Sequence, residues 1–196
     1  MIIGINASFV RKANTGIGQV TLNFLKKLSQ VKSEKDKVKG DEFILYLEED
    51  INLKLPSNFK KSIFLPIWKR DDLIRKIWWE KLILPNKVKS DKCDVFISLY
   101  QSATSINSSM DMKHIMVVHD VIPKLFPEYL DNFRKRLYWK FTEKAIKSAD
   151  KIIAVSKRTE KDLVQHLGID PSRITVSPVD VDEVYKHDVS AEKIQK

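Results

Sequence analysis

The stretch HIMVVHDVIPKLFPE, residues 114–128, restricts the fold more than any other part of the chain. Its first five residues carry apolar and β-branched side chains without a helical period, so they read as a buried strand. Pro123 and Pro127 forbid an uninterrupted helix directly afterwards, and the strand is expected to stop near His119. Similar runs lie at 2–7, 43–47, 94–99, 151–155 and 173–177, with a shorter one expected at 62–65 and closed by Pro66. Amphipathic stretches separate several of these runs. Strands alternating with helices in this way predict an α/β fold with a doubly wound, Rossmann-like parallel sheet. Ligands of such sheets bind beyond the carboxyl ends of the strands, which makes His119 and Asp120 candidates for binding or chemistry. The residues alone leave two roles open for His119: contact with a substrate, or a strand cap held by a local hydrogen bond to Asp120.

The helices bring further candidates. Val20, Phe24 and Leu28 share one stripe of a helix expected over 20–28. The linker before it contains Asn14-Thr15-Gly16-Ile17-Gly18, whose glycines let backbone N–H groups approach an anion at the positive helix end. No third glycine follows, so the dinucleotide fingerprint is incomplete, and a plain tight turn is the alternative. Asp71 or Asp72 is expected to cap a helix reaching about Leu84, with Leu73, Ile77 and Leu84 inward, Trp78 and Trp79 in the core, and Pro85 ending it. Phe133, Leu137, Phe141 and Ala145 mark a helix ending near Ser148, with Arg134, Lys135, Lys140 and Lys147 outside. Ser156 is placed to cap a helix that runs to Leu167 and stops at Gly168. The polar stretch Tyr100 to Ser109 should share the sheet edge of His119, as a binding loop. Residues 32–42 read as a charged surface loop.

Composition narrows the class. With 196 residues, 43% of them hydrophobic, the chain can bury one core, expected over 1–177, with 178–196 as a polar linker or hinge. No apolar run approaches the roughly 20 residues that cross a bilayer, and MIIGINASF lacks the pattern of a secretory signal. The single cysteine, Cys93, excludes an intrachain disulfide and a multi-cysteine zinc site, and fits a cytoplasmic setting. The net charge of +9 points to an anionic partner such as a phosphorylated sugar or an acidic lipid headgroup. Nucleic acid is set aside because no recognisable binding motif accompanies the charge. His114 and His119 flank one strand about 17 Å apart, too far to share a metal, so no metal is expected. The P-loop, nucleophile-elbow and HExxH motifs are missing.

Five segments then occur in a telling order: TGIGQVTLNFLKKL, IWWEKLILP, VVHDVIPKLFPE, ADKIIAVSKRTEKDL and LGIDPSRITVSPVDV. Together they resemble the amino-terminal half of the nucleotide-sugar-dependent glycosyltransferase family 4, so the chain is expected to form one half of a GT-B architecture. The resemblance implies that Gly16, Ile17, Gly18 and Asp120 bind the donor, that His119 contacts the transferred sugar, and that Tyr100, Gln101 and Ser102 hold the acceptor. It implies a retaining transfer of a hexose from a UDP- or GDP-sugar to a cell-envelope glycan or lipid-linked acceptor, without metal or cofactor. It also implies a carboxyl-terminal nucleotide-binding domain carrying an E-x7-E pair, beyond the end of this chain, without which the chain is inactive. Glu34 and Glu42 have that spacing but fall in or beside the charged loop, away from the expected site. Pro178 stands where the family usually has a glycine before the hinge Val-Asp, and Asp180-Val181-Asp182 reads as hinge, not as the metal-binding DxD of the GT-A fold. The basic helix faces suggest a peripheral position on an acidic membrane at its cytoplasmic face. The alternative function is a non-catalytic binding module for an anionic glycan or headgroup.

Overall fold

The computed structural model describes residues 1–34, 40–50, 52–64, 73–106 and 111–179. Strands β1 (Ile2–Asn6), β2 (Glu42–Leu47), β3 (Phe59–Ile63), β4 (Val95–Ser98), β5 (Lys113–Val118), β6 (Lys151–Ala154) and β7 (Ile174–Val176) form one sheet in the order β3-β2-β1-β4-β5-β6-β7. Every neighbouring pair is parallel. The order reverses between β1 and β4, the switch point at which a crevice opens beyond the carboxyl edge.

Helices cover both faces, as a doubly wound sheet requires. On one face α1 (Gly16–Glu34) sets Leu25 against Ile5, Leu45, Phe59 and Leu99. On the other lie α2 (Leu73–Trp78), a π turn (Trp79–Ile83) and α3 (Leu84–Ser90), which pack Trp79 and Leu84 on Tyr46 and Phe96. The short α4 (Ile122–Leu125), α5 (Phe133–Ser148) and α6 (Lys157–Leu167) complete the fold, with Trp139, Ile146 and Leu163 on Met116, Val118 and Ile152. Full burial of such side chains stabilises the fold by roughly 1.5–3 kcal/mol each. Strand β5 shows the alternation that makes this possible: His114, Met116 and Val118 are buried, whereas Ile115 and Val117 on the opposite face are half-buried.

Several boundaries differ from the sequence expectation, each for a physical reason. Helix α1 begins at Gly16, four residues early, because the Thr15 hydroxyl accepts the Gly18 N–H at 3.2 Å and caps it. Gly16, Ile17 and Gly18 therefore form the first helical turn and are not a linker. The buried face of α1 is Gly18, Thr21 and Leu25, and Phe24 is exposed. Pro85 does not end its helix. The preceding π turn, with Leu84 N–H donating to the Trp79 carbonyl, absorbs the missing donor, and the Asn86 side chain donates to the Leu82 carbonyl at 2.8 Å. The helix stops at Ser90 instead. On α5 the buried positions are Trp139, Thr142, Ala145 and Ile146, while Phe133 is 75% exposed. Residues spaced by four drift about 40° per step around a helix, so the expected stripe could not stay inward over its length. Strand β3 starts at Phe59, earlier than expected.

The caps of α6 match their expectation. Ser156 accepts the Thr159 N–H at 3.0 Å, and Gly168 terminates the helix at φ 67°. The expectations at Leu65, Pro66, Asp71, Asp72, 107–109 and 180–196 lie outside the described residues. Among the described residues, no helix is long and apolar enough to cross a membrane.

Candidate active site

Three strand ends meet at the switch point: β1 ends in Asn6, Leu99 to Ser102 follow β4, and His119 and Asp120 follow β5. Gln101 ties the last two together. Its carbonyl oxygen accepts the His119 backbone N–H at 3.1 Å, and its amide nitrogen donates to the Asp120 carbonyl at 3.3 Å. The His119 ring lies with Nε2 3.1 Å from the Leu99 carbonyl. A carbonyl can only accept, so Nε2 is the donor in this bond, and Nδ1 is the ring nitrogen left for another partner. The His119 carbonyl accepts the Thr159 hydroxyl at 2.9 Å, which fixes the strand end to the start of α6. The Asp120 side chain accepts the N–H of Ile122, the first residue of α4, at 3.0 Å. The local cap between His119 and Asp120 that the sequence left open is thus replaced by two separate bonds, to Leu99 and to Ile122.

A cavity of about 250 Å³ opens beside these loops, with Ile17, Tyr100, Gln101 and Asp120 in its wall. The structure thus brings four of the sequence candidates together. Ser102 is fully buried, and its hydroxyl accepts the Thr104 N–H at 3.3 Å. Gly16 is exposed at the start of α1, whereas Gly18 is buried against the preceding 3-10 turn, Ser8–Lys12. A Cβ at Gly18 would lie 2.0 Å from the Lys12 carbonyl oxygen, which is why the position has none.

Sequence reasoning missed a residue pair here, of which Lys76 lines the cavity and Glu80 is buried behind its wall. Lys76 Nζ sits 5.0, 5.3 and 4.6 Å from the ring centroids of Phe9, Tyr100 and Tyr138, and 4.0 Å from the Glu80 carboxylate. Glu80 is fully buried and accepts the Tyr100 hydroxyl at 2.8 Å, the Tyr138 hydroxyl at 3.0 Å and the Ala103 N–H at 2.7 Å. Burial pushes its carboxyl pKa up, opposed by Lys76 and by these three donors. The network continues as Asn6 donates to the Tyr100 oxygen at 3.2 Å, Ser8 donates to Asn6, and the Trp79 indole donates to Ser8 at 3.2 Å. It joins the end of β1, the π turn and the loop after β4 behind the cavity. A signal for Glu80 existed: Leu73, Ile77, Glu80 and Leu84 follow a three-four spacing, which puts the carboxylate on the inward stripe.

His114 lies elsewhere, inside β5, with Nε2 3.0 Å from the Ser98 hydroxyl and its ring against Phe96. Burial pushes its pKa down to about 4, although Asp150 pulls the other way. Glu42 is at the amino end of β2, on the edge of the sheet opposite the cavity, paired with Lys60 at 2.6 Å.

A sequence profile of Glycosyltransferase Family 4 matches residues 40–183, most of the chain, and the chain belongs to this family. No curated protein matches it. Among solved structures, UGT2 of Phytolacca americana, complexed with UDP-2fluoro-glucose and pterostilbene, is 12% identical, and 92% of this chain covers 54% of that one at TM-score 0.54. A glycosyltransferase from Rickettsia africae ESF-5 is 15% identical, with 99% of this chain covering 47% of that one at TM-score 0.47. The chain spans about half the length of these structures. Its fold is that of one half of a GT-B glycosyltransferase.

Proposed function

We propose that residues 1–177 are the acceptor-side domain of a retaining glycosyltransferase, with 178–196 leading as a hinge toward a nucleotide-binding domain. The complete enzyme transfers a hexose from a UDP- or GDP-sugar to a cell-envelope glycan or lipid-linked acceptor at the cytoplasmic face of a membrane. The observation that carries this reading is the cavity at the β1/β4 switch point, in a chain of this family.

In this reading the start of α1, at Gly16 and Ile17, offers backbone N–H groups and the positive helix end to the donor phosphates. Gly18 lets that turn pack closely on the Lys12 carbonyl, and Asp120 meets the donor from the other side of the crevice. The Leu99 carbonyl orients the His119 ring, whose Nδ1 accepts a hydroxyl of the transferred sugar and positions it without acting as a nucleophile. Tyr100 and Gln101 face the acceptor, and Ser102 supports their loop from behind. The acceptor hydroxyl passes its proton to a phosphate oxygen of the leaving donor. This reading uses no metal or cofactor.

The test joins the chain to its downstream coding region and supplies labelled UDP- and GDP-hexoses with a membrane extract. Label should pass to a lipid or polymer with retention at the anomeric carbon, and the 196-residue chain alone should transfer none. Transfer by the chain alone, or a downstream region without an α/β domain and an E-x7-E pair, overturns the reading. Retained binding of anionic glycans without any transfer would favour the binding module.

A further inference from the structure

The tyrosines of the cavity wall turn their hydroxyls away from the cavity. Tyr100 and Tyr138 both line it, yet both donate to Glu80, which is fully buried behind the wall. Their rings are therefore what a ligand in the cavity meets, together with the ring of Phe9, whose centroid lies 4.4 Å from that of Tyr100. Lys76 adds charge to this apolar surface. Its side chain, 27% exposed, lines the same cavity and holds Nζ 4.6 to 5.3 Å from the three ring centroids. Glu80 lies 4.0 Å from Nζ on the buried side, where its oxygens already accept the two tyrosine hydroxyls and the Ala103 N–H. The cavity side of the ammonium is thus where a ligand's negative charge gains most.

Such a wall selects by charge and by shape. Electron-rich ring faces alone attract a cation, but an ammonium already seated among them repels one. An anion gains from the same ammonium, and gains more than at an exposed lysine, because the rings screen the site from bulk water. The other charged residues of the wall are Lys135, which is bound to Asp131 at 2.9 Å, and Asp120, whose carboxylate accepts the Ile122 N–H at 3.0 Å. Rigid ring faces also cover the apolar C–H face of a sugar at little cost in entropy. The cavity, about 250 Å³, is smaller than the roughly 300–1,000 Å³ of sites that enclose drug-sized ligands, so it takes a single sugar ring and not a chain.

We propose that Lys76 determines specificity for an acidic acceptor sugar: the sugar lays its C–H face on Phe9, Tyr100 and Tyr138, and Lys76 binds a carboxylate or phosphate that it carries. This rests on the reading of the cavity as the acceptor site. Glu80 is a positioning residue in this arrangement. It holds Tyr100 and Tyr138 by their hydroxyls and Lys76 by its charge, so that rings and ammonium form one surface before the acceptor arrives. The acceptor class narrows accordingly, to a glycan or lipid-linked saccharide that presents a uronic acid or a phosphorylated sugar.

The test titrates the 196-residue chain with glucose, glucuronate, glucose 6-phosphate and inorganic phosphate, followed by saturation-transfer NMR. It needs neither donor nor second domain. At least one anionic sugar should bind about tenfold more tightly than glucose, and more tightly than inorganic phosphate. Preference for glucuronate marks a carboxylate site, and preference for glucose 6-phosphate a phosphate site. Lys76→Met, which keeps an unbranched apolar stem, should abolish the preference, and Lys76→Arg should retain it. Equal affinity for glucose and both anionic sugars, inorganic phosphate that binds as tightly as the sugars, or a preference that survives in Lys76→Met would each overturn the proposal. The first two outcomes are read on the wild-type chain, so they decide the matter even where Lys76→Met does not fold. Equal transfer by the two-domain enzyme to neutral and acidic acceptors would also strike this inference, and would leave the glycosyl-transfer reading in place.

Discussion

The Tyr100 hydroxyl donates at 2.8 Å to the carboxylate of Glu80, a fully buried acid that holds the loop after β4 to the helical segment crossing behind it. Two further donors, Tyr138 and Ala103, converge on the same group. Glu80→Ala would leave three buried donors without an acceptor. At about 1–3 kcal/mol for each orphaned group, with partial relaxation, a loss of about 3–5 kcal/mol is expected in urea unfolding. Glu80→Gln keeps one oxygen and offers an NH2 that a tyrosine oxygen can accept, so its loss should be about 1–2 kcal/mol. The sign with pH follows from the raised folded pKa. The contribution of Glu80 is fully present below its unfolded value near 4.5 and declines as pH rises through the folded value. The gap between wild type and Glu80→Gln should therefore narrow from pH 5 to pH 8, and a gap that widens would contradict the raised pKa.

His114 acts in the opposite direction. Its folded pKa, pushed down to about 4 from 6.5, means that the unfolded chain takes up a proton which the native state refuses over that interval. Stability is whole above pH 6.5 and falls by about 3 kcal/mol as pH drops to 4. Replacing His114 by Phe together with Ser98 by Ala removes the titrating ring and its hydroxyl partner at once, a change of shape small enough to be nearly neutral at pH 7. Melting temperatures of this double variant should decline less between pH 7 and pH 5 than those of wild type. An unchanged slope would place the acid sensitivity elsewhere.

These two groups also mark what was readable from the chain. The strands were legible because β-branched runs closed by Pro or a polar turn have few alternatives, and Ser156 and Gly168 bounded α6 by chemistry that is local. The parallel sheet followed from their alternation. The start of α1 was misplaced because two glycines speak against a helix, and only the Thr15 cap with the close approach to Lys12 makes them favourable there. Pro85 was read as a stop because a π turn leaves no local signature. Tyr100, Gln101 and Asp120 could be brought to one sheet edge from topology, and Ile17 joined them only through the resemblance. Glu80 was harder to read, because its three-four spacing with Leu73, Ile77 and Leu84 points inward whereas a glutamate beside a lysine on a helix ordinarily faces water, and its partners lie twenty or more positions away in the chain.

Gly16 and Gly18 separate packing from binding. A Cβ at Gly18 would collide with the Lys12 carbonyl, a backbone atom that can yield only if the 3-10 turn shifts, so Gly18→Ala should cost about 1–3 kcal/mol. A Cβ at Gly16 meets nothing within 4 Å, so Gly16→Ala should leave stability unchanged or raise it by about 0.4–1 kcal/mol. If the donor approaches this turn closely, Gly16→Ala should nevertheless weaken donor affinity in the two-domain enzyme, measured by calorimetry with the nucleotide-sugar. Unaltered affinity would remove Gly16 from the donor site.

His119 is where a structural and a functional bond can be told apart on one ring. Its Nε2–H bond to the Leu99 carbonyl is visible in the fold, so His119→Ala should cost about 0.5–1.5 kcal/mol of stability whatever the ring does in catalysis. The backbone bond to Gln101 survives the change, because the donor is the main-chain N–H, and the loop should hold its place. Turnover is the separate readout. If Nδ1 meets a hydroxyl of the transferred sugar as the transition state forms, the two-domain His119→Ala enzyme should lose about a hundred- to a thousandfold in kcat, with donor affinity nearly intact. If the ring serves only to brace the strand end, the same variant will melt lower and the folded fraction will turn over at the wild-type rate, which would assign His119 to the scaffold and leave the cavity's own side chains to position the sugar.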